Sequence, residues 1–161
     1  MSNAARGDVV SALRRLAQSA DYQDRADAGR ALAGFAERPE AWDPLQALLL
    51  DADNTFVTRV TAEALLRRHD AVGLAAVASA LAGADFNHMS WIHTAVYDVF
   101  GIFARERDAA LRITETLVRD HGRHLEHGAD QLREALAKIN PVLHPVDEAG
   151  SDEAGSDEAG S

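Results

Sequence analysis

The sequence contains no cysteine, a single lysine and only nine aromatic residues among its 161 residues. Without cysteine the chain can form no disulfide, use no thiol nucleophile and bind no metal through thiolates. No apolar run approaches the roughly 18 residues of a membrane span, and charged residues such as Arg6 and Asp8 break the pattern of a signal peptide. We therefore expect a cytoplasmic protein with no membrane partner.

The net charge is −10, but it is unevenly distributed. Residues 147–161 read DEAGS three times and hold six of the 26 acidic residues, so the 16 basic and 20 acidic residues before them leave a net charge of −4. A mildly acidic body lacks the basic surface that nucleic acid requires, and we expect no nucleic-acid partner. The composition predicts one domain at 1–146 and an acidic low-complexity tail, without a core of its own, at 147–161.

Apolar residues recur with the spacing of helices throughout the chain, and no stretch alternates with the period of a half-buried strand. The sequence predicts an all-α protein centred on residues 86–103, FNHMSWIHTAVYDVFGIF, which hold five of the nine aromatic residues and line one face with Ile92, Val96 and Phe100. The other predicted helices cover residues 8–19, 21–36, 42–50, 55–68, 71–81, 108–120 and 124–139.

The predicted helices repeat at intervals of 33 to 34 residues. The segment RADAGRAL, residues 25–32, aligns with RVTAEALL, residues 59–66, and the alignment continues to residues 92–99. The pairs that match are Arg25 with Arg59, Ala28 with Ala62, Leu32 with Leu66, and Ala62 with Ala95. This periodicity indicates a helical hairpin of slightly more than 30 residues as the repeating unit.

In these residues the chain resembles a short array of HEAT repeats, of the bacterial variety with an Ala/Leu-rich first helix. The resemblance covers residues 21–121, with residues 8–19 and 124–139 as capping helices. It implies a right-handed stack of about three hairpins whose second helices line a concave surface, usually for a protein partner. The third unit departs most, because Ile92 stands where the first two units have arginine.

The resemblance predicts a non-enzymatic interaction module, such as an adaptor, a regulator or an immunity-type protein, with no cofactor. The second helices would present polar residues to a protein partner, and the two tryptophans would act as aromatic anchors. The predicted partner-binding residues are Trp42, Gln46, Trp91, Arg112, Glu115 and Arg119.

The alternative is an enzyme or a small-molecule-binding protein with a pocket beside the helix of residues 86–105. His93 and Tyr97 are four residues apart, and with Asp98 they could serve in acid/base chemistry if they met in a cavity. Such a helix edge is more often an amphipathic boundary whose polar tips reach water.

Two further alternatives concern metal binding and self-association. The spacing of His121, His124 and His127 suits a metal ion, but a solvated helix start explains it better, and we expect no metal. The helix of residues 71–81 is almost wholly apolar, so a homo-oligomer that covers it is also an alternative.

Overall fold

The structure, a computed structural model, describes residues 1–146. This part of the chain is all-helical, with eight α-helices, one short 3-10 helix at Arg123–Leu125 and no β-strand. The predicted acidic tail lies outside the described residues. The α-helices are α1 (Asn3–Leu16), α2 (Tyr22–Ala33), α3 (Pro39–Leu49), α4 (Thr55–Leu66), α5 (Ala71–Gly83), α6 (Phe86–Phe100), α7 (Ala104–His121) and α8 (Glu126–Lys138).

Small polar side chains begin five of these helices. Each accepts a hydrogen bond from a backbone N–H of the first turn, which would otherwise lack a partner. These N-cap residues are Ser2, Asp21, Asn54, Asp70 and Asp85. The polar breaks between apolar segments therefore determine where the helices begin.

The helices pack in two layers with a continuous apolar core between them. One layer is formed by α2, α4 and α6, which lie side by side, and α1 packs on α2 and α3 at one end. The other layer contains α3, α5, α7 and α8, and α5 contacts α3, α7 and α8. Helix α8 is thus more than the terminal cap predicted for residues 124–139, because it packs against α5, α6 and α7.

Two glycines allow helices to approach closely at the crossings. A β-carbon at Gly29 of α2 would collide with the Thr61 side chain of α4, and one at Gly128 of α8 would collide with the Ala78 backbone carbonyl of α5. A larger residue at Gly128 would require the backbone of α5 to move, whereas one at Gly29 would require Thr61 to move. Each crossing joins neighbouring helices of one layer.

The apolar helix α5 is covered by its own chain. Leu74, Val77 and Leu81 are almost completely buried, as are the alanines between them. A helix that is apolar on all sides belongs in the interior, and α3, α4, α7 and α8 supply its cover. The apolar surplus of α5 therefore requires no second copy of the chain.

Helix α6 buries its aliphatic residues and exposes most of its aromatic ones. Ile92, Val96 and Phe100 are buried, as their spacing predicts. The other aromatic residues of the segment 86–103 lie at the surface, with exposed fractions of 79% for Phe86, 37% for Trp91, 59% for Tyr97 and 43% for Phe103. Helix α6 has this exposed face because it is the last helix of its layer.

A buried ion pair joins α2 to the loop between α3 and α4. Arg25 Nε donates to Asp51 Oδ2 at 2.7 Å, and Arg25 Nη1 donates to the carbonyl oxygens of Ser19 and Ala20. Asp51 also accepts from the backbone N–H groups of Asp53 and Asn54. Both side chains are less than one-tenth exposed, and their hydrogen bonds fix the entry into α4.

The last described residues form a short parallel contact with the turn between α6 and α7. Leu143 bridges to Phe103, and its carbonyl oxygen accepts from the Ala104 N–H at 2.9 Å. This contact places the start of α7 four residues before the predicted start at Asp108. Among the described helices, none combines the length and apolarity needed to cross a membrane.

Candidate functional site

The outer face of α7 carries the predicted residues Arg112, Glu115 and Arg119. Its opposite face packs against the core through Ala110, Thr114 and Leu117. Because 3.6 residues make one turn, residues seven apart lie nearly in line along a helix. Arg112 and Arg119 therefore project in the same direction, and both they and Glu115 are exposed.

This face is rich in positive charge although the protein is acidic. Exposed residues between 105 and 123 comprise four arginines (Arg105, Arg112, Arg119 and Arg123) and two carboxylates (Glu115 and Asp120). Arg119 pairs with Asp120 at 3.3 Å on the exposed surface, and within residues 1–146 no ion pair involves Arg112. A guanidinium without a carboxylate partner is available to bind an acidic group.

Trp42 lies in a cleft beside the end of α7. The cleft has a volume of 240 Å³, and Trp42 is half-buried in its wall. The remaining lining residues are Ala36, Glu37, Val72, Ala75, His121, His124 and Leu125. Gly122 has a φ of +108°, which turns the chain sharply enough to bring His124 to the same cleft as His121. The cleft thus joins an aromatic side chain to the basic end of α7.

Two of the predicted partner-binding residues do not join this surface. Gln46 Nε2 donates to the Ala76 carbonyl oxygen of α5 at 3.0 Å, so its amide is engaged inside the fold. Trp91 lies on α6, in the other layer, and does not line the Trp42 cleft. The sequence alone could not show that the two tryptophans lie in different layers, because each of them follows the start of a helix by a few residues.

The alternative site at His93, Tyr97 and Asp98 does not converge. Asp98 accepts from Arg59 Nη2 at 2.9 Å, which directs it towards α4. Tyr97 is largely exposed, and His93 faces Glu134 and Lys138 of α8. The four-residue spacing places His93 and Tyr97 on one side of α6. Because Asp98 pairs with α4 and His93 faces α8, the three groups do not meet at one site.

His93 is a partly buried histidine without a hydrogen-bond partner on Nε2 within the described structure. Burial lowers its pKa, the positive charge of Lys138 lowers it further, and Glu134 opposes the shift. The neutral imidazole is therefore favoured in the folded protein. This environment makes His93 sensitive to acid without supplying the second group that acid/base chemistry requires.

The three histidines considered as metal ligands do not form a site. His121 and His124 share the Trp42 cleft, whereas the His127 ring contacts the Gln131 amide at 3.0 Å. In residues 1–146, no group of three or more histidine, aspartate or glutamate side chains is placed to hold a metal ion.

A polar cleft of 410 Å³ lies where the loops before α4 and α6 meet. Its carboxylates already have partners, since Asp51 binds Arg25 and Asp85 Oδ1 contacts His88 Nδ1 at 2.8 Å. The other His88 nitrogen contacts the Asp51 carbonyl oxygen at 2.8 Å. These hydrogen bonds join the two loops, so Asp51 and Asp85 have structural roles here.

Sequence reasoning missed an apolar cavity of 340 Å³ between α5, α6 and α7. Leu74, Phe100, Ala109 and Ala110 line it, together with the charged residues Arg105 and Glu106 and the ring of His69. The adjacent alanines of α7 were a signal that this helix presents little volume to its neighbours. Only the structure shows that Ala109 and Ala110 line a cavity together with Phe100.

Comparison with known protein families, with curated proteins and with solved structures gives no match for this chain. The geometry of its own residues therefore provides the basis for a functional assignment.

Proposed function

We propose that this protein is a non-enzymatic interaction module that binds a partner protein through the outer face of α7 and the Trp42 cleft. The observation that carries the proposal is the exposed basic face of α7, where Arg112 is outside any ion pair of residues 1–146 and Arg119 has one exposed partner. Arginine and tryptophan are enriched among the residues that dominate binding energy at protein interfaces.

The architecture supports this proposal in its finer form, a HEAT-like stack of helical hairpins. Helices α2, α4 and α6 lie side by side, as the first helices of successive hairpins would, and their aligned segments repeat every 33 to 34 residues. Such stacks present extended surfaces to protein partners. The second layer, which contains α3 and α7, carries the proposed surface.

The charge of the surface indicates the character of the partner. Arginines of α7 would meet carboxylates, and Trp42 would accept an apolar side chain in the cleft between α3 and the end of α7. A partner whose acidic residues surround an exposed apolar side chain would bind both the arginines of α7 and the Trp42 cleft. Roles as an adaptor, a regulator or an immunity-type protein are all compatible with this form of binding.

The experiment that tests the proposal compares the wild type with the double variant Arg112→Glu/Arg119→Glu. The protein, tagged and chemically crosslinked in the source cells, is purified, its stoichiometric partner is identified, and the affinity is then measured with purified components. Reversal of two charges at an interface should weaken binding at least tenfold, because about 1.4 kcal/mol corresponds to a factor of ten.

Arg133→Glu is the matched control, because Arg133 is an exposed arginine of α8 that pairs with Asp130 at 3.1 Å, much as Arg119 pairs with Asp120. It should leave the affinity unchanged. Equal binding by the wild type and the double variant would refute the proposed surface.

A further inference from the structure

The cavity between α5, α6 and α7 has the properties of a ligand site. It is open to solvent on one side and measures 340 Å³, which falls within the roughly 300–1,000 Å³ of known ligand pockets. An engineered apolar cavity of about 150 Å³ accommodates benzene, so this one has room for roughly twice as many atoms. The space stays open because the apolar side chains that α7 contributes to it, those of Ala109 and Ala110, are small.

The cavity is apolar inside and charged at its edge. Leu74, Phe100, Ala109 and Ala110 form its apolar lining, in which Leu74, Phe100 and Ala110 are almost completely buried and Ala109 is partly exposed. Arg105 is exposed and Glu106 is half-buried, so they mark the side that faces water. Ligand sites commonly combine such an apolar lining with a few polar groups that orient the ligand.

The two charged residues differ from most of their kind in this protein. Arg105 and Glu106 both line the cavity, and within residues 1–146 neither of them takes part in an ion pair. Consecutive residues of a helix point about 100° apart, so the two side chains stand on different sides of the opening. A guanidinium binds a carboxylate through two parallel hydrogen bonds, and a carboxylate can accept hydrogen bonds from an ammonium group.

His69 completes the wall in an uncommon backbone conformation. Its φ of +54° is in the left-handed region, and its ring packs edge-on against Phe100 with 5.7 Å between ring centroids. Such a conformation is nevertheless common just after the end of a helix, and His69 follows α4. The contact with Phe100 places the imidazole at the edge of the cavity.

From these observations we propose that the cavity binds a free α-amino acid with an apolar side chain. Arg105 binds the α-carboxylate, Glu106 binds the α-ammonium group, and the side chain lies against Leu74, Phe100 and the two alanines. An amino acid of this kind carries opposite charges on one carbon beside an apolar group, which matches the two charges and the apolar wall. The site adjoins the proposed partner surface, because Arg105 lies two turns before Arg112 on the same side of α7, but it does not include Arg112, Arg119 or Trp42.

The test measures binding of L-phenylalanine and L-leucine to the full chain by calorimetry. Two analogues each lack one charge: 3-phenylpropionate has no ammonium group, and 2-phenylethylamine has no carboxylate. The proposal predicts saturable binding of at least one amino acid and at least tenfold weaker binding of both analogues. Absence of binding by both amino acids would overturn it.

Variants identify the site. Arg105→Ala and Glu106→Gln should each weaken amino-acid binding at least tenfold, and Ala109→Trp should abolish it by filling the space. Arg14→Ala is the control, because Arg14 is an exposed arginine of α1 that also makes no ion pair within residues 1–146. Thermal unfolding of each variant shows that it is folded, and the two surface variants test the site even if Ala109→Trp is unstable.

Two results would contradict the assignment while leaving the proposed partner surface unaffected. If 3-phenylpropionate binds as tightly as L-phenylalanine and Glu106→Gln has no effect, the site does not recognise the ammonium group. If amino acids bind equally well to Arg105→Ala and Ala109→Trp, they bind elsewhere. Because Arg112 and Arg119 are intact in these variants, loss of amino-acid binding is distinguishable from loss of the partner.

Discussion

At the scale of single residues, the buried ion pair between Arg25 and Asp51 is the contact whose disruption we expect to cost most. Both partners are buried and hydrogen-bonded, and removal of Asp51 leaves the buried guanidinium with only the Ser19 and Ala20 carbonyl oxygens and the exposed Asp53 carboxylate, 3.9 Å away. Asp51→Ala should therefore reduce the free energy of unfolding by about 3–5 kcal/mol. Asp27→Ala, which removes an exposed pair with Arg30, should cost at most about 1 kcal/mol. Chemical denaturation of both variants checks this difference, and equal losses would contradict it.

The same pair predicts how stability responds to acid. Burial tends to raise the pKa of Asp51, but hydrogen bonds from Arg25 and from the N–H groups of Asn54 and Asp53 outweigh it and lower the pKa. A carboxylate whose pKa is lower in the folded state stabilises the protein above its unfolded value of about 3.9 and loses that contribution as the pH falls.

The stability difference between the wild type and Asp51→Asn should therefore be constant near neutral pH and narrow below about pH 4, because the wild-type carboxylate then becomes protonated. Urea denaturation at a series of pH values measures this difference. A gap that stays constant down to pH 2 would show that the Asp51 charge is not responsible.

His93 predicts a second pH dependence, at higher pH. Its pKa is lowered by burial and by Lys138, so the unfolded chain binds a proton more readily than the folded protein does. Stability should fall as the pH drops below the ordinary histidine pKa of about 6.5. His93→Gln should reduce this loss between pH 7.5 and 5.5, and an equal loss in the variant and the wild type would contradict the assignment to His93. Melting temperatures at the two pH values decide the point.

At the scale of helices, the close crossing of α5 and α8 is the most demanding contact. A methyl group at Gly128 would collide with the backbone carbonyl of Ala78, and a backbone atom cannot rotate away as a side chain can. Gly128→Ala should therefore cost about 1–3 kcal/mol or more through overpacking.

Gly83 provides a control for that substitution, because it is the last residue of α5 and a methyl group there meets no atom within 4 Å. Gly83→Ala should instead stabilise the protein by about 0.5–1 kcal/mol, since alanine favours the helix. Denaturation curves of the pair measure both effects, and a tolerated Gly128→Ala would mean that α5 and α8 do not cross so closely.

The helices themselves could largely be predicted from the sequence. Apolar periodicity and polar caps placed α4 and α5 within two residues of their observed ends. The prediction was less accurate for several other helices. Helix α2 ends at Ala33, three residues before the predicted end, and α3 begins at Pro39, three residues before the predicted start. Helix α1 begins at Asn3 and not at Asp8, because Ser2 accepts a hydrogen bond from Ala5 N–H, and α7 begins early because residue 143 pairs with the turn before it.

The sequence could not show which side of a helix has a neighbour. Aromatic residues in the segment 86–103 suggested a buried centre, yet Phe86 and Tyr97 are exposed because α6 is the last helix of its layer. For the same reason the grouping of His93 with Asp98 could not be judged from their spacing. Their partners, Lys138 and Arg59, come from distant parts of the chain.

At the scale of the whole molecule, the two proposed sites occupy different parts of α7. The arginine face extends from Arg112, in the middle of the helix, to the Trp42 cleft at its C-terminal end, and the cavity is near its N-terminal end at Arg105 and Glu106. At 1.5 Å per residue, Arg105 is about 10 Å from Arg112 and about 20 Å from Arg119 along the helix. The sequence predicted Arg112, Arg119 and Trp42 of the partner surface from their residue types. It could not predict the cavity, because its lining comes from three helices and the turn at His69, which are brought together only by folding.

The measurement that tests the account most directly is the affinity of the purified partner for the wild type and for Arg112→Glu/Arg119→Glu, measured also for a chain without residues 147–161. We expect at least a tenfold loss of affinity on charge reversal and unchanged binding after removal of 147–161. A partner that binds the double variant as tightly as the wild type, or that requires residues 147–161, would contradict the assignment of binding to α7.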